Sequence, residues 1–450
     1  MKIRSYLAYL LLVSFLFSFA ACDRAQESLF PEEQELREER AYRDQRGKEV
    51  EQVEPKPLET LFDTSAKPEL KKRELNLLVV GDILMHVPLI NAARTEDGSY
   101  DFTTSYRYLW DDIEAADYAC FNMEGTLAGE PWEGFPLFSC PDELAEQMYA
   151  MGFDLAFAAN NHSIDRGTEG LIMTAQKLKA AGLDLVGTRE SSDDMKYLLK
   201  EVNGIKLAFL NYTFESKLKD GKHTLNGHII EDEARDLVDS FSVQREPEDL
   251  FSQDLLKIGE RLSEVKAEQA DFIIVLLHWG YEYHNEPNAY QLELAQFLAD
   301  SGVDLVVGAG PHVLQPIQWL ERPDGGQMLC YYSLGNFISN QHFKTKKSKG
   351  HAEDGLMALI RLEKNIRGDC QIAKAGYLAT YCSKIKPDKE TTYASLIPVA
   401  RALKDMSEFE LTEKAERRVL KSSERTARVM ANNGEGIESY ASVAEFIEAD

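Results

Sequence analysis

Positive charge is scarce in this chain: 50 Lys and Arg stand against 76 Asp and Glu, a formal net charge of −26. Such a surface repels DNA, RNA and anionic lipid headgroups, so no nucleic-acid partner is expected. It repels an anionic polymer too, unless divalent cations screen the contact. Cysteine is sparse as well, with six in 450 residues. No close pair has metal-ligand spacing, which excludes a cysteine zinc site, and nothing indicates a disulfide scaffold. The glycines never form the P-loop pattern that cradles phosphate, which argues against nucleotide-driven synthesis within the chain. What is present is 44% hydrophobic and 10% aromatic residues, enough for a sizeable core and incompatible with wholesale disorder.

The first 22 residues set the expected compartment. Lys2 and Arg4 form a short positive start, and Tyr6 to Phe19 is an almost unbroken apolar run. That run is short of the ~20 residues a membrane span needs but suits a signal-peptide core. It closes with Phe19-Ala20-Ala21-Cys22, which resembles a lipoprotein signal in which Cys22 is acylated and becomes the mature N-terminus. An uncleaved anchor is the alternative. Both readings tether the chain to the membrane and place the remainder outside the cytoplasm. Of the other cysteines, Cys120 and Cys330 sit in strand-like apolar runs and read as small buried hydrophobes. Cys370 and Cys382 could form a disulfide.

Four segments follow: a lipoprotein signal (1–22), a charged stalk (23–73), an α/β domain (74–385) and a helical C-terminal extension (386–450). The stalk is rich in Glu, Arg, Lys and Gln and has little to bury. From Leu75 onward, apolar runs of strand length alternate with amphipathic stretches of helix length, as in an α/β sheet. The expected strands are Leu75–Val80, Tyr118–Phe121, Asp154–Ala158, Leu207–Leu210, Phe272–Leu277, Leu305–Val307 and Leu329–Tyr332. Gly355–Glu363 and Gln371–Tyr381 are two more. Helices are expected over Thr168–Ala181, Leu250–Ala267, Ala289–Asp300 and Thr412–Ala431. The polar stretch from Ser216 to Gln269 reads as an excursion covering one edge of the site.

Unusual polar residues fall at the strand ends. Asp82 follows the first, Glu124 the second, and Asn161 and His162 the third. His278 and His312 follow two later ones. In open α/β sheets, ligands bind in the crevice beyond the carboxyl ends of the strands. Oxygen and imidazole ligands suit Mn²⁺, Fe or Zn²⁺, and two such ions can hold both oxygens of a phosphoryl displacement. Each residue alone has a plainer reading. An Asp or Asn after a strand is commonly a cap or turn former, and a histidine beside Trp279 is commonly packed and hydrogen-bonded. Asp165 could merely start a helix, and Glu282 could be a solvated charge. Their repetition at successive strand ends is what points to one metal or catalytic site. His86, four residues beyond Asp82, would share a face with it in a helical turn. Its other reading is a helix-surface histidine. His284, His342 and His351 read as rim or surface residues.

Six motifs occur in order: Gly81-Asp82; Asn122-Met123-Glu124-Gly125; Asn160-Asn161-His162-Ser163-Ile164-Asp165-Arg166-Gly167; His278-Trp279-Gly280-Tyr281-Glu282; Pro311-His312-Val313-Leu314-Gln315-Pro316; and Tyr332-Ser333-Leu334-Gly335-Asn336-Phe337. Together they resemble the capsule or poly-γ-glutamate biosynthesis protein family of the CapA type, across about Asn76 to Glu363. The resemblance implies a metallophosphatase-like layered α/β/β/α fold with the site at strand C-terminal ends. It implies that Asp82, Glu124, Asn161, His278 and His312 line a site for one or two divalent ions. His162 would then protonate a leaving oxygen, with Asp165 orienting it. Ser333, Asn336 and Phe337 would lie nearby, Asn336 as a hydrogen-bond donor. Family members usually carry a histidine between the glycine and the proline of the fifth motif; here Ala309 and Gly310 stand there. A site short of one imidazole could hold a single ion, bind it weakly, or recruit His86 or His284.

Two functions compete on this reading. One is a cell-surface, metal-dependent hydrolase or phosphoesterase serving anionic-polymer biosynthesis, acting on the polymer or on a phosphoester. The other is a non-catalytic accessory subunit working with membrane components of a polymer synthase. A third, amide transfer on γ-glutamyl chains, would use the ion to polarise a carbonyl.

Overall fold

Leu75, Leu77 and Val79 face one side of the first strand and Leu78 and Val80 the other, and all five are buried. A strand apolar on both faces belongs inside a layered structure. The computed structural model describes residues 72–342 and 347–449, which fall within one compact unit from Leu70 to Asp450. The signal segment with Cys22, and all but the last two residues of the expected stalk, lie outside the described residues.

The first sheet contains β1 (Arg73–Leu84), β2 (Tyr118–Met123), β3 (Leu155–Phe157) and β4 (Asp184–Val186), parallel and adjacent in that order. Beyond β1 it continues antiparallel through β16 (Asp354–Lys364), β17 (Cys370–Ile385) and β18 (Tyr393–Pro398). A short β15 (Asn336–Ser339) pairs with the end of β1, and β19 (Glu438–Ser439) pairs with β17. The second sheet has the order β10 (Ser240–Phe241), β6 (Ile205–Phe214), β11 (Phe272–His278), β12 (Leu305–Ala309), β14 (Gln327–Leu334) and β13 (Leu314–Glu321). In it β5 (Leu198–Val202) pairs with β6.

Inward side chains of both sheets form one cluster: Leu77 and Val79, Cys120, Leu207 and Phe209, Ile274 and Leu276, Leu305, Tyr331, and Ala358. The outer face of the first sheet is covered by α1 (Val87–Ala93), α2 (Trp110–Glu114), α3 (Glu143–Ala150) and α4 (Gly167–Ala180). That of the second sheet is covered by α5 (Leu250–Ala267) and α6 (Ala289–Asp300). Helices outside and two sheets within make the α/β/β/α sandwich that the family resemblance implies. Helix α6 starts where Asn288 and Gln291 form a reciprocal cap.

After Ile385 the chain is not the wholly helical extension expected. Tyr393–Pro398 forms β18, because its apolar residues alternate across the sheet, Leu396 joining the outer cluster and Ile397 the inner one. Then α7 (Val399–Lys404) and α8 (Glu413–Met430) contribute Val399, Ala402, Val419 and Val429 to the core between the sheets, and α9 (Val443–Glu448) contributes Phe446 to the outer cluster. Among the described residues all five cysteines are free. Cys370 and Cys382 lie on the single strand β17, about 40 Å apart at ~3.3 Å per residue. They cannot pair within one chain.

The polar excursion forms a three-stranded sheet of β7 (Ser216–Lys219), β8 (Lys222–Leu225) and β9 (His228–Ile229). Leu225, Ile230, Leu237 and Val238 pack on Ala159, Ile164 and Leu171. It therefore braces the loop that carries Asn161 and His162. No helix among the described residues is long and apolar enough to cross a membrane.

Candidate metal centre

The parallel strands of both sheets end on the same side of the sandwich, and their ends carry the polar residues inward. Asp82 lies within β1, not after it, at an irregularity in the register where β1 pairs Asp82 with Asn122 of β2 and Asn336 of β15. Its carboxylate is fully buried. Oδ1 accepts from Asn122 Nδ2 at 2.7 Å, and Oδ2 lies 3.0 Å from His312 Nδ1 and 3.3 Å from the Gly310 amide nitrogen. His278, the last residue of β11, places Nδ1 3.1 Å from Asn122 Nδ2. Glu124 follows β2, and its Oε1 lies 3.7 Å from His278 Nε2 and 3.8 Å from His312 Nε2. Neither Glu124 oxygen has a hydrogen-bond partner among the described residues.

Burial favours the neutral forms here, and the neighbours decide who stays charged. Burial would raise the Asp82 carboxyl, but the bond and charge of His312, with His278 behind it, hold it below its ordinary value. Burial and the Asp82 charge push Glu124 well above the carboxylate range. Burial lowers His278 to about 3. It opposes charge on His312 as well, yet Glu124 and Asp82 outweigh it and lift that imidazole to about 10. The metal-free cluster is therefore an Asp82–His312 ion pair beside a Glu124 that resists ionising. Ionising Glu124 beside Asp82 with one counter-charge is costly, and a divalent cation would relieve that cost.

Ligand atoms of Asp82, Glu124 and His312 lie within 4.8 Å of one another, close to the ~4 Å spread of ligands across one ion. The donor set therefore fits a divalent ion. Asn161 belongs to the loop after β3, and its buried Oδ1 also has no partner. The adjacent Asn160 anchors that loop, donating to Met123 O at 2.7 Å and Asn122 Oδ1 at 3.5 Å.

On the same loop His162 Nδ1 lies 2.7 Å from Asp165 Oδ2, and both side chains are buried. Asp165 Oδ2 also accepts from the Phe138 amide at 2.6 Å, so the carboxylate is fixed before it fixes the imidazole. The Phe138 ring meets His162 edge-on at 4.7 Å and His86 at 5.1 Å. His86 and His162 therefore share contact with that ring. The shared helical face expected for Asp82 and His86 does not exist, because Asp82 is extended in β1 and His86 is the residue before α1.

Glu282 is exposed, and its charge still bears on Glu124 and His312. His284 is exposed, with Nδ1 2.9 Å from Glu282 O. Asn336 donates to His312 O at 3.3 Å and Ala352 O at 3.0 Å, and its Oδ1 lies 3.1 Å from His312 Nδ1. Ser333 bonds Val313 O, whereas Phe337 packs into the outer apolar cluster. Asn122 and Phe138 were not singled out from sequence. Asn122 directly follows the expected strand Tyr118–Phe121, as His278 follows Phe272–Leu277, and that position was the available signal. Phe138 gave none.

Two facing sheets sheathed in helices, with carboxylate and imidazole groups gathered at the strand ends, define a layered α/β/β/α protein with a candidate metal centre. The chain belongs to the family described as bacterial capsule synthesis protein PGA_cap, whose model matches residues 76–341. It is 30% identical over 321 residues to the capsule biosynthesis protein CapA of Bacillus anthracis, covering 66% of this chain and 69% of that one. To the PGA biosynthesis protein CapA of Bacillus subtilis (strain 168) it is 28% identical over 306 residues, 66% of this chain and 70% of that one. Among solved structures it is similar to the NAD nucleotidase of Haemophilus influenzae, with a TM-score of 0.40 and 13% identity over 84% of this chain and 66% of that one.

Proposed function

We propose that this chain is a lipid-anchored, cell-surface member of the family that serves capsule or poly-γ-glutamate biosynthesis through a metal-dependent hydrolase-like site. The observation that carries the reading is Glu124: a buried side chain with neither oxygen hydrogen-bonded, facing two imidazoles and Asp82. Asp82, Glu124, His278 and His312, with Asn161, would hold the ion. Bound there, a divalent ion of the Mn, Fe or Zn type supplies a Lewis acid for phosphoryl or carbonyl oxygen. His162, held by Asp165, gives a proton to the leaving oxygen. The depth of the site excludes bulk water, which strengthens each of these interactions.

A non-catalytic accessory role, alongside membrane components of a polymer synthase, is the second reading. Its support is that Ala309 and Gly310 stand where the resemblance implies a further imidazole. A Cβ on Gly310 would lie 3.1 Å from His278 Nε2. Metal content separates the two. The purified full chain is expected to hold about one transition-metal ion and to hydrolyse a phosphodiester only when metal is present. Metal-free protein without metal-stimulated turnover selects the accessory role.

The anchor has its own test. Cys22→Ser is expected to abolish fatty-acid labelling and release the chain from the membrane fraction. Labelling that persists in the variant rejects lipidation at Cys22.

A further inference from the structure

Residues beyond the family-matched segment reach the site through one continuous set of contacts. Arg425 of α8 grips Asp354 with two hydrogen bonds, Nε to Oδ2 at 2.6 Å and Nη2 to Oδ1 at 2.5 Å. Asp354 is fully buried and opens β16. The preceding residue, Glu353, pairs at 3.7 Å with Arg418, about two turns before Arg425 on the same helix. The segment so clamped presents Ala352 O, which accepts from Asn336 Nδ2.

It also presses on the Gly335–Asn336 turn. A Cβ on Gly335 would lie 2.8 Å from Asp354 O, and one on Gly355 would lie 2.4 Å from Asn336 O. Only glycine tolerates that approach, and Gly335 also has φ +67°. The turn in its place does two things: Gly335 O accepts from the Asp82 amide at 3.1 Å, and Asn336 holds both Nδ1 and the carbonyl of His312. His312 has φ +58°, a conformation that a non-glycine residue keeps only when its surroundings impose it.

We propose that Arg425 is a positioning residue for the candidate metal centre, acting through Asp354 and Asn336 on His312 and Asp82. This rests on the metal-site reading above. The C-terminal helix would then set the affinity of a site to which it contributes no ligand. Partners beyond the first ligands commonly tune metal affinity by about 10–100-fold.

The test compares Mn²⁺ binding by titration calorimetry on the full chain in detergent. The neutral pair Asp354→Asn with Arg425→Met leaves no lone charge buried and is expected to bind Mn²⁺ at least ~10-fold more weakly than the parent. Leu298→Ala empties a buried position on the outer face of the second sheet and serves as the control for lost stability. It is expected to bind within about twofold of the parent, since additivity holds for distant sites. If the neutral pair does not fold, Arg425→Lys carries the comparison, because it keeps the charge and loses the two-pronged grip. Parent-like affinity in the Arg425 variants overturns the proposal, and so does an equal loss in Leu298→Ala. A parent that binds no Mn²⁺, Zn²⁺ or Fe²⁺ overturns the metal-site reading itself.

Discussion

His162→Ala is expected to keep its metal and lose about 10²–10⁴-fold in turnover, the usual range for removing a general acid. His162 meets none of Asp82, Glu124 or His312 in a hydrogen bond; its Nδ1 belongs to Asp165. Removing the ring takes away the proton donor and leaves the ligand groups where they are. Asp165→Asn should fall between parent and His162→Ala, because the imidazole loses its charged orienting partner and the Phe138 amide still has an oxygen to bond. The readouts are metal per chain by elemental analysis and the rate of phosphodiester hydrolysis. Unchanged turnover in His162→Ala removes it from the chemistry. Lost metal in that variant makes it a ligand or a structural support instead.

Glu124→Gln carries the second large effect, with two signs. The amide keeps the shape of the carboxylate and removes its charge. Affinity for a divalent ion should fall by more than the ~10–100-fold that an outer partner costs. Without metal, the same change should stabilise the fold by about 1–3 kcal/mol near neutral pH, since burial beside Asp82 forces Glu124 to take up a proton that the amide does not need. Urea unfolding of metal-free parent and variant measures the second effect, and calorimetry measures the first. A variant less stable than the parent without metal would mean that Glu124 is already satisfied there and is not waiting for a cation.

The strands and the long helices were legible in sequence because the sandwich is apolar on both faces of its central strands. Leu77 to Val80 and Phe272 to Leu277 are continuous apolar runs, and within two residues of each end comes a residue that no core would choose. That contrast exposed Asp82 and His278. Other features depend on tertiary placement. Nothing local marks Phe138 as the residue that holds Asp165, since the bond comes from its backbone amide. The helical link supposed between Asp82 and His86 failed for a related reason: spacing of four means a shared face only inside a helix, and β1 runs on through Leu84. The tail was misjudged because Tyr393–Pro398 is only six residues long and completes a sheet begun three hundred residues earlier.

Strand β1 has β2 on one flank and β16 on the other, with Leu75 to Val80 laddered to Met357–Leu362. The family match stops at residue 341, before β16 begins. What relatives share in sequence and what folds as a unit are therefore not the same length of chain. A fragment cut at the shared boundary would keep every candidate ligand and lose the neighbour of its central strand. It would bare a row of unpaired amides and carbonyls along an apolar ribbon, an open invitation to self-association.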